Sequence, residues 1–384
     1  MPVRNAPSAV PTTLRFMAAR LRHRLFSPRP ASAPDLRTRM GKVFAALQAR
    51  GVQAHWIQVP AGGDWLDGGI DLLPGEAVAI LAEGMVWLAK GLDVGFGPQV
   101  GLWYRVGDAP LRKTTSARSW LDAGEGGRLR FTTKPPGEFA SRDGRFEADL
   151  DRKPLQGGFT VAVLRWPAEP DAALDHAASV DEELFASLRQ QRRVPARAPQ
   201  GWHYLWRLGD GNIFRAHEQH NGRMCCQTHA DVGILQFPVD HALDEGSRLD
   251  WRWLVQRLPS ALPEHTAPTH DYLSIALEFD NGLDLTWMWS SGLPEGTIFQ
   301  CPLPWWDQRE THWVLRSDPA KLGQWLDESR PILADYRKAI GGPDPTRIVA
   351  VWLIANTAFQ RGHGHCEYEG IVLRSGARED HVGG

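Results

Sequence analysis

A β-hairpin is the sequence feature that most constrains the fold of this chain. In residues 272–289, YLSIALEFDNGLDLTWMW, apolar residues alternate with others on both sides of the pair Asn281-Gly282. A period of two is typical of a half-buried strand, and Asn-Gly predicts a two-residue type I′ turn. One face is an apolar strip ending in Trp287 and Trp289. A second layer has to cover that strip, so we expect any ligand on the mixed opposite face.

Short strands separated by Gly, Pro and Asp-Gly turns recur through most of the chain and predict an all-β fold. The 384 residues fit two domains. We predict two antiparallel β-sandwiches of jelly-roll or galactose-binding-like type, with a few short helices. The predicted boundaries are a basic tail and lead-in helix at 1–50, a sandwich at 54–168, a linker with a polar helix at 169–199, a sandwich at 200–375 and a tail at 376–384. Spaced apolar residues also predict a helix within residues 322–340, and we expect Pro331 to start its helical part.

Composition excludes some partners. Formal net charge is −2, from 43 basic and 45 acidic residues, so the chain lacks the electrostatic footprint of a nucleic-acid-binding protein. The four cysteines include an adjacent pair and no CxxC motif. This pattern favours free thiols in a reducing compartment, and we expect a cytoplasmic location.

The N-terminal tail is strongly basic. Residues 1–39 contain eight arginines and a single acid, Asp35. This composition is typical of a disordered, solvated leader. The alternative is peripheral contact with anionic lipid, because residues 14–26 are amphipathic and arginine-rich. The sequence has no apolar run long enough to span a bilayer.

The predicted first sandwich resembles a lectin family. The similarity rests on Val59, Trp65, Gly68, Gly69, Ile70, Pro74, Gly75 and the strand at 78–84, then on Gly97, Pro98, residues 127–131, 136–139, Gly144 and 159–163. These residues resemble the bacterial galactophilic PA-I-like lectin fold. In that family an Asn-Asp pair before a Pro-Gly turn helps to hold the calcium ion that binds sugar hydroxyls. Thr133 and Lys134 stand at that place here, and an ammonium group cannot ligate calcium. The resemblance therefore implies the fold without its calcium site.

The predicted second sandwich resembles an uncharacterised bacterial family, the domain of unknown function numbered 3047. The matching residues are Trp251, Trp253, Pro259, Asp271, Tyr272, Phe279, Trp287, Ser290, Trp325, Glu328, Arg330, 335–337, Gly341 and 368–371. The resemblance implies a galactose-binding-like jelly roll. Leu254 and Gln256 replace the Lys and Asp of that family, and His270 replaces one of two aspartates before the tyrosine. Any polar site that the family builds from those groups is changed in this chain.

Tryptophans are the candidates for ligand contact. The chain has 17 of them, and indole faces can stack on sugar rings. Trp251, Trp253, Trp287 and Trp289 lie on apolar strand faces, which favours the core. Trp305 and Trp306 lie in a proline-bounded loop where at least one indole should be exposed. We take these two, with Asp271 and Asn356, as the candidate binding residues.

Two further kinds of chemistry have weaker signals. His363, His365 and Glu367 alternate along the last predicted strand and could hold a transition metal, although a polar strand end is the alternative. We therefore expect no cofactor. Acids on strands, above all Asp271, Glu278 and Glu367, could form a glycoside-hydrolase pair, but nothing in their spacing selects two. The sequence favours a protein that binds a carbohydrate or another small molecule without catalysis; an enzyme on sugars and an assembly scaffold are the alternatives.

Overall fold

β-Strands supply most of the regular structure, as the turn-rich sequence predicts. The computed structural model describes residues 4–26, 35–147, 155–304 and 306–383. Strands account for 41% of the residues, and the described helices are short apart from the first. The prediction of an all-β fold with sandwich domains is confirmed.

The contacts divide the chain into two units. The N-terminal unit comprises Arg20–Ala196 and Trp206–Gly211, and the C-terminal unit comprises Met1–Ala19, Arg197–Leu205 and Asn212–Gly384. The first residues of the chain therefore group with its last half.

The N-terminal unit has a five-stranded sheet, β1-β9-β3-β4 with β7 beside β3, and a four-stranded sheet, β2-β8-β5-β6. Its strands are β1 Gln53–Pro60, β2 Leu66–Leu72, β3 Val78–Ala89, β4 Val94–Phe96, β5 Leu102–Val106, β6 Arg112–Lys113, β7 Arg118–Leu121, β8 Gly127–Thr133 and β9 Gln156–Arg165. Its helices are α2 Leu36–Gln48, α3 Pro98–Gly101, α4 Asp171–Val180 and α5 Glu182–Arg193, while α1 Ala9–Phe26 spans the division between the units.

Helices α2, α4 and α5 cover the outer face of the larger sheet. Leu36 and Met40 of α2 and Leu184 and Phe185 of α5 share one apolar cluster with strands β3 and β9. The polar helix predicted in the linker is thus present as α5, and it buries one apolar side within the N-terminal unit.

The C-terminal unit is a sandwich of a seven-stranded sheet, β10-β13-β20-β15-β16-β18-β17, and a six-stranded sheet, β11-β12-β21-β14-β19 with β22 beside β21. The strands are β10 His203–Tyr204, β11 Phe214–Ala216, β12 Met224–His229, β13 Val232–Ala242, β14 Arg248–Arg257, β15 Tyr272–Phe279, β16 Asp284–Trp289, β17 Ile298–Gln300, β18 Glu310–Arg316, β19 Trp325–Pro331, β20 Arg347–Asn356, β21 His363–Ser375 and β22 Arg378–His381. Helix α6, Ile332–Ala339, follows β19. Strands β16 and β18 run parallel.

The predicted hairpin is β15 and β16, with Leu273 opposite Trp289 and Glu278 opposite Asp284. Its apolar strip is buried against the second sheet: the Trp287 ring lies 5.8 Å from Trp251, and the Trp289 ring 5.7 Å from Trp253. The prediction that these four indoles belong to the core is confirmed.

The turn of the hairpin differs from the prediction. Phe279 N donates to Leu283 O, and Gly282 N donates to Phe279 O. Gly282 has a φ of 77°, whereas Asn281 has no positive φ. The loop therefore has three residues with glycine in the left-handed position, which is the next commonest hairpin connection. The type I′ prediction was wrong because the strands stop one residue earlier than the Asn-Gly pair suggests.

The helix predicted within residues 322–340 begins directly after Pro331, as expected, and spans Ile332–Ala339. The residues before it are not helical, because Trp325–Pro331 is strand β19. Pro331 stands at the junction, where its missing N–H costs the helix nothing. The apolar residues of a strand and of a following helix had merged into one approximate helical pattern.

Residues 4–26 of the basic tail are ordered, contrary to the prediction of a disordered leader. Asn5 N donates to Ile298 O, and Ile298 N donates to the Asn5 side chain. Thr12 and Phe16 of α1 are buried. Among the described helices there is none long and apolar enough to cross a membrane.

Candidate functional site

The first candidate site is a cleft at the turn end of the central hairpin. It has a volume of about 580 Å³ and is lined by the hairpin loop, the end of α6 and residues 341–346. Pockets of this size hold small ligands. Apolar contact surface comes from Leu283 and Ile340, and polar groups come from Asp280, Asn281 and Asp344.

Hydrogen bonds fix the polar groups of the cleft. Asn281 Nδ2 donates to Tyr336 Oη at 2.8 Å. Thr346 donates to the Asp280 carboxylate and lowers its pKa, and Arg337 does the same for Asp344. Both carboxylates are therefore ionised at neutral pH and can accept hydrogen bonds. A general acid for glycoside hydrolysis needs the opposite, a raised pKa.

The second candidate site lies on the face of β15, β16, β18 and β20 opposite the core, which we call the polar face. At its outer part Arg309 Nε lies 2.8 Å from Asp284 Oδ2, and Arg309 Nη2 lies 3.2 Å from Glu278 Oε1. The guanidinium carbon is 5.5 Å from the ring centroid of Trp306 and 5.2 Å from that of Trp352. Arg309 thus contacts two acids and packs beside two indoles.

Deeper on the polar face is a buried cluster around Glu310. Tyr272 Oη and Thr286 Oγ1 donate to Glu310 Oε1 at 3.1 and 3.0 Å. His312 Nε2 lies 3.4 Å from the same oxygen, and Cys301 Sγ lies 3.5 Å from His270 Nε2. One possible ligand atom from each of His270, Cys301, Glu310 and His312 lies within 4.8 Å of the others.

Burial and mutual contact set the ionisation of this cluster. Burial alone would raise the pKa of Glu310, but His312 and His270 outweigh it and bring the pKa to about 2. Burial lowers the pKa of His270 to about 3. Burial also raises the pKa of Glu264 to about 7, against hydrogen bonds from Ser290 and Ser291. Glu310 and His270 are thus electrostatically coupled in the protein interior.

The three predicted binding residues that the structure describes, Trp306, Asp271 and Asn356, are each largely buried. Trp305 lies outside the described residues. Trp306 was expected to be exposed if Trp305 was not; it begins a 3-10 turn and is only 9% exposed. Asp271 is buried and accepts hydrogen bonds from Phe359 N and Gln360 N at 3.0 and 2.7 Å. Asn356 is buried as well and donates to His270 O at 2.8 Å.

The predicted metal and catalytic residues have other neighbours. His363 stacks on His229 with ring centroids 3.9 Å apart. Glu367 lies 3.6 Å from Arg223 and, among the described residues, groups with His217 and Cys225 as a possible ligand set rather than with His363 or His365. Glu278 pairs with Arg309, as given above. No pair of exposed acids thus emerges from these candidates in the described part of the chain.

The calcium position of the lectin resemblance is taken by protein contacts. The Lys134 ammonium lies 3.7 Å from Glu138 and 4.4 Å from the ring centroid of Phe146. Thr133 Oγ1 donates to Pro60 O. Thr133 and Lys134 are thus both held by contacts within the protein.

Together these features define the chain as an all-β protein of two units, with a cleft and a buried polar cluster in the C-terminal unit. Residues 208–372 match the model of the family described as "Protein of unknown function (DUF3047)". The resemblance of the C-terminal half that the sequence indicated is confirmed. No curated protein matches the chain.

Solved structures give three likenesses of fold. The "EclA N-terminal domain; PllA-like lectin" is 19% identical, over 29% of this chain and 95% of that chain, with a TM-score of 0.23, and it lies in the N-terminal part. The xyloglucanase domain of NopAA from Sinorhizobium fredii, in complex with cellobiose, is 8% identical over 47% of this chain and 92% of that chain, with a TM-score of 0.29. An exo-beta-agarase is 11% identical over 49% of this chain and 24% of that chain, with a TM-score of 0.26. These likenesses concern the fold, so function is argued from the side chains.

Proposed function

We propose that the C-terminal unit binds a carbohydrate in the cleft at the hairpin turn, without catalysis of its own. The observation that carries this proposal is the lining of the cleft. Asp280, Asn281 and Asp344 offer hydrogen-bond acceptors and an amide beside the apolar surface of Leu283 and Ile340. A sugar ring presents both kinds of surface, hydroxyl groups at its edge and C–H groups on its face.

The ionisation of the cleft favours binding over hydrolysis. Asp280 and Asp344 both have a lowered pKa, because each carboxylate accepts hydrogen bonds from its neighbours. Neither is suited to donate a proton to a glycosidic oxygen. The acids with raised pKa, Asp284 and Glu264, are fully buried. An enzyme acting on sugars would need one of these to reach a ligand.

A carbohydrate array followed by calorimetric titration of the full chain tests the proposal. We expect saturable binding of at least one mono- or oligosaccharide, and at least tenfold weaker binding after Asp344→Asn or Asn281→Ala, since each removes polar contacts worth about 1–2 kcal/mol. Asp327→Asn is the control, because Asp327 is exposed on the other sheet and lies outside the cleft. Equal affinity in all variants, or no sugar bound at all, would contradict the proposal; release of reducing ends would favour the enzyme.

The exposed face of helix α1 supports a second function, contact with an anionic membrane surface. Val10, Leu14, Met17, Leu21 and Leu25 are 39–65% exposed, and their spacing of three and four residues places them on one stripe of the helix. Thr12 and Phe16, on the opposite side, are buried. With respect to the described residues, each side chain of the apolar stripe keeps more than a third of its surface exposed.

Positive charge accompanies the stripe. Arg15 and Arg22 are exposed beside it, and residues 4–26 contain no acid. An amphipathic helix with basic flanks binds the interface of anionic membranes through apolar burial and charge together. We therefore propose a protein that is peripheral to a membrane; a cytoplasmic location stays a prediction.

Sedimentation with vesicles tests this second function. Vesicles containing phosphatidylserine should carry the full chain down, and pure phosphatidylcholine vesicles should bind it several-fold less. Leu21→Gln with Leu25→Gln should abolish the binding, because both remove apolar area from the stripe. The matched control is Leu73→Gln with Leu88→Gln, two leucines exposed elsewhere. Equal losses in both double variants would contradict a role of α1.

A further inference from the structure

We propose that His270, Cys301, Glu310 and His312 form a closed centre for one divalent transition-metal ion of the zinc type. The four side chains come from the segment before β15, the segment after β17 and strand β18. All four are at most 2% exposed. This centre is separate from the carbohydrate cleft, with which it shares no residue.

Distances within the cluster fit a tetrahedral ion. Zinc binds nitrogen, oxygen and sulfur at about 2.0–2.3 Å, which places the ligand atoms roughly 3.3–3.8 Å from one another. Cys301 Sγ lies 3.5 Å from His270 Nε2, and His312 Nε2 lies 3.4 Å from Glu310 Oε1. The whole set spans at most 4.8 Å, so a contraction of about 1 Å in the longest distance completes the tetrahedron.

Both histidines have a nitrogen lone pair available. His270 Nδ1 lies 2.7 Å from the carbonyl oxygen of Glu264. A carbonyl only accepts, so Nδ1 carries the hydrogen and Nε2, which faces Cys301, keeps its lone pair. Metal-bound histidines are oriented by this kind of contact. Both ring nitrogens of His312 are buried and, among the described residues, neither makes a geometrically complete hydrogen bond; Nε2 has only the 3.4 Å contact with Glu310 Oε1.

An unpartnered buried imidazole is unusual, because buried polar atoms nearly always have a partner. His312 is held in place by its ring contacts instead: Phe299 stacks on it at 4.9 Å, and His270 meets it edge-on at 4.8 Å. A metal ion would give the ring nitrogen its missing partner.

The neighbours of Glu310 fix its carboxylate beside the other proposed ligands. Tyr272 and Thr286 both donate to Oε1, the oxygen that lies 3.4 Å from His312 Nε2. Such donors around a ligating carboxylate raise metal affinity. In formal charge, one thiolate and one carboxylate balance a divalent cation, and the two imidazoles are neutral. A buried centre of this composition has no net charge, which avoids the cost of an isolated charge in the interior.

The closed coordination indicates a structural centre. Four protein ligands fill a tetrahedral ion, whereas a catalytic zinc keeps a position open for water or substrate. The ion would tie the segments around His270 and Cys301 to strand β18, so its loss should weaken the C-terminal unit.

Metal analysis and cobalt spectroscopy of the full chain test the proposal. Purified protein should hold about one zinc per chain, and cobalt(II) in its place should give visible d–d bands and a near-ultraviolet thiolate-to-cobalt band. Cys301→Ser should abolish the thiolate band. The control is Cys225→Ser, because Cys225 belongs to the other, half-exposed ligand set with His217 and Glu367. Folded protein that takes up neither ion, or a band that depends on Cys225, would overturn the assignment.

X-ray absorption of the zinc-loaded wild type keeps the test decisive even if Cys301→Ser does not fold. The proposed centre requires one sulfur at about 2.3 Å and three nitrogen or oxygen atoms at about 2.0 Å. Two or more sulfurs, or none, would overturn it. Neither outcome bears on sugar binding, which the variants of the cleft test by themselves.

Discussion

Asp271 shows how a polar residue can serve the fold of a loop instead of a ligand. The sequence placed it in the binding and catalytic sets, yet its carboxylate is fully buried and accepts hydrogen bonds from two successive backbone N–H groups. An oxygen that is already saturated by backbone donors has little capacity left for a substrate.

We predict that Asp271→Ala lowers the stability of the C-terminal unit by about 1–3 kcal/mol, because hydrogen bonds to a charged group are lost. Asp271→Asn should cost less, since one acceptor oxygen remains. Sugar binding in the cleft should not change. Urea unfolding followed by tryptophan fluorescence, with calorimetric titration beside it, measures both effects. Loss of sugar binding with unchanged stability would instead indicate that Asp271 contacts the ligand.

The sequence did not identify the residues of the proposed metal centre, because most of them lie far apart in the chain and meet only through strand pairing. Glu310 and His312 are two residues apart on one strand face, a signal that the sequence does carry. His270 and Cys301 are 31 residues apart. The parallel pairing of β16 with β18 brings His270 towards His312, and the antiparallel pairing of β17 with β18 does the same for Cys301. A parallel register follows from tertiary packing and has no local turn that reveals it. His270, Cys301 and His312 therefore could not be grouped into one site from their spacing in the sequence.

At the scale of elements, the sequence was most informative where one period dominated. The alternation in β15 and β16 identified the hairpin and its buried face correctly. Periodicity did not predict the boundary within residues 322–340, where a strand and a helix adjoin without a turn. It also did not predict the geometry of the hairpin loop. The positions of apolar residues alone do not show where the two-residue period of a strand changes to the 3.6-residue period of a helix.

The hairpin loop gives the second prediction. Gly282 has a φ of 77° and open space around the position of a Cβ atom. Gly282→Ala should therefore cost about 1 kcal/mol from backbone strain alone. Gly41→Ala is the matched control, because Gly41 lies within helix α2 with equally open space, and alanine there should stabilise by about 0.5–1 kcal/mol. Thermal unfolding of both variants checks the opposite signs; equal effects would contradict the three-residue loop.

The start of helix α5 gives the third prediction. Asp181 accepts a hydrogen bond from Leu184 N at 3.0 Å as the N-cap, and Arg39 Nε of helix α2 donates to it at 2.9 Å. Asp181→Ala should destabilise the N-terminal unit by about 1–2 kcal/mol, whereas Asp181→Asn keeps a capping oxygen and loses only the ion pair.

This ion pair also sets a pH dependence. The hydrogen bond from Arg39 lowers the pKa of Asp181 below its ordinary 3.8. The folded state then binds fewer protons than the unfolded chain, so the stabilisation is present above about pH 4 and is lost as the pH falls through the folded pKa. The difference in unfolding free energy between wild type and Asp181→Asn should shrink from pH 6 to pH 3. A difference that stays constant over this range would contradict the charged pair.

At the scale of the whole molecule, the two ends of the sequence share one unit. The contacts group residues 1–19 with 197–205 and 212–384, whereas the sequence suggested a separate basic tail. Composition describes the tail as a whole, but the side chains of Arg4 and Asn5 bond it to residues in and beside strand β17, almost three hundred positions away. The predicted domain boundaries stay a prediction, which limited proteolysis of the full chain can test.

Asn5 gives the last prediction. Its side chain accepts from Ile298 N at 2.6 Å and donates to Gly296 O at 3.2 Å, beside the backbone bond from Asn5 N to Ile298 O. Asn5→Ala should therefore destabilise the C-terminal unit by about 1–2 kcal/mol, since two hydrogen bonds at the edge strand β17 are lost. Asn5→Asp keeps the acceptor and loses only the donor, so its cost should be smaller. Because β17 pairs with β18, which carries Glu310 and His312, hydrogen exchange at Ile298 and Thr311 should rise in Asn5→Ala. Unchanged exchange at both positions would show that the first residues of the chain do not hold this edge of the sheet.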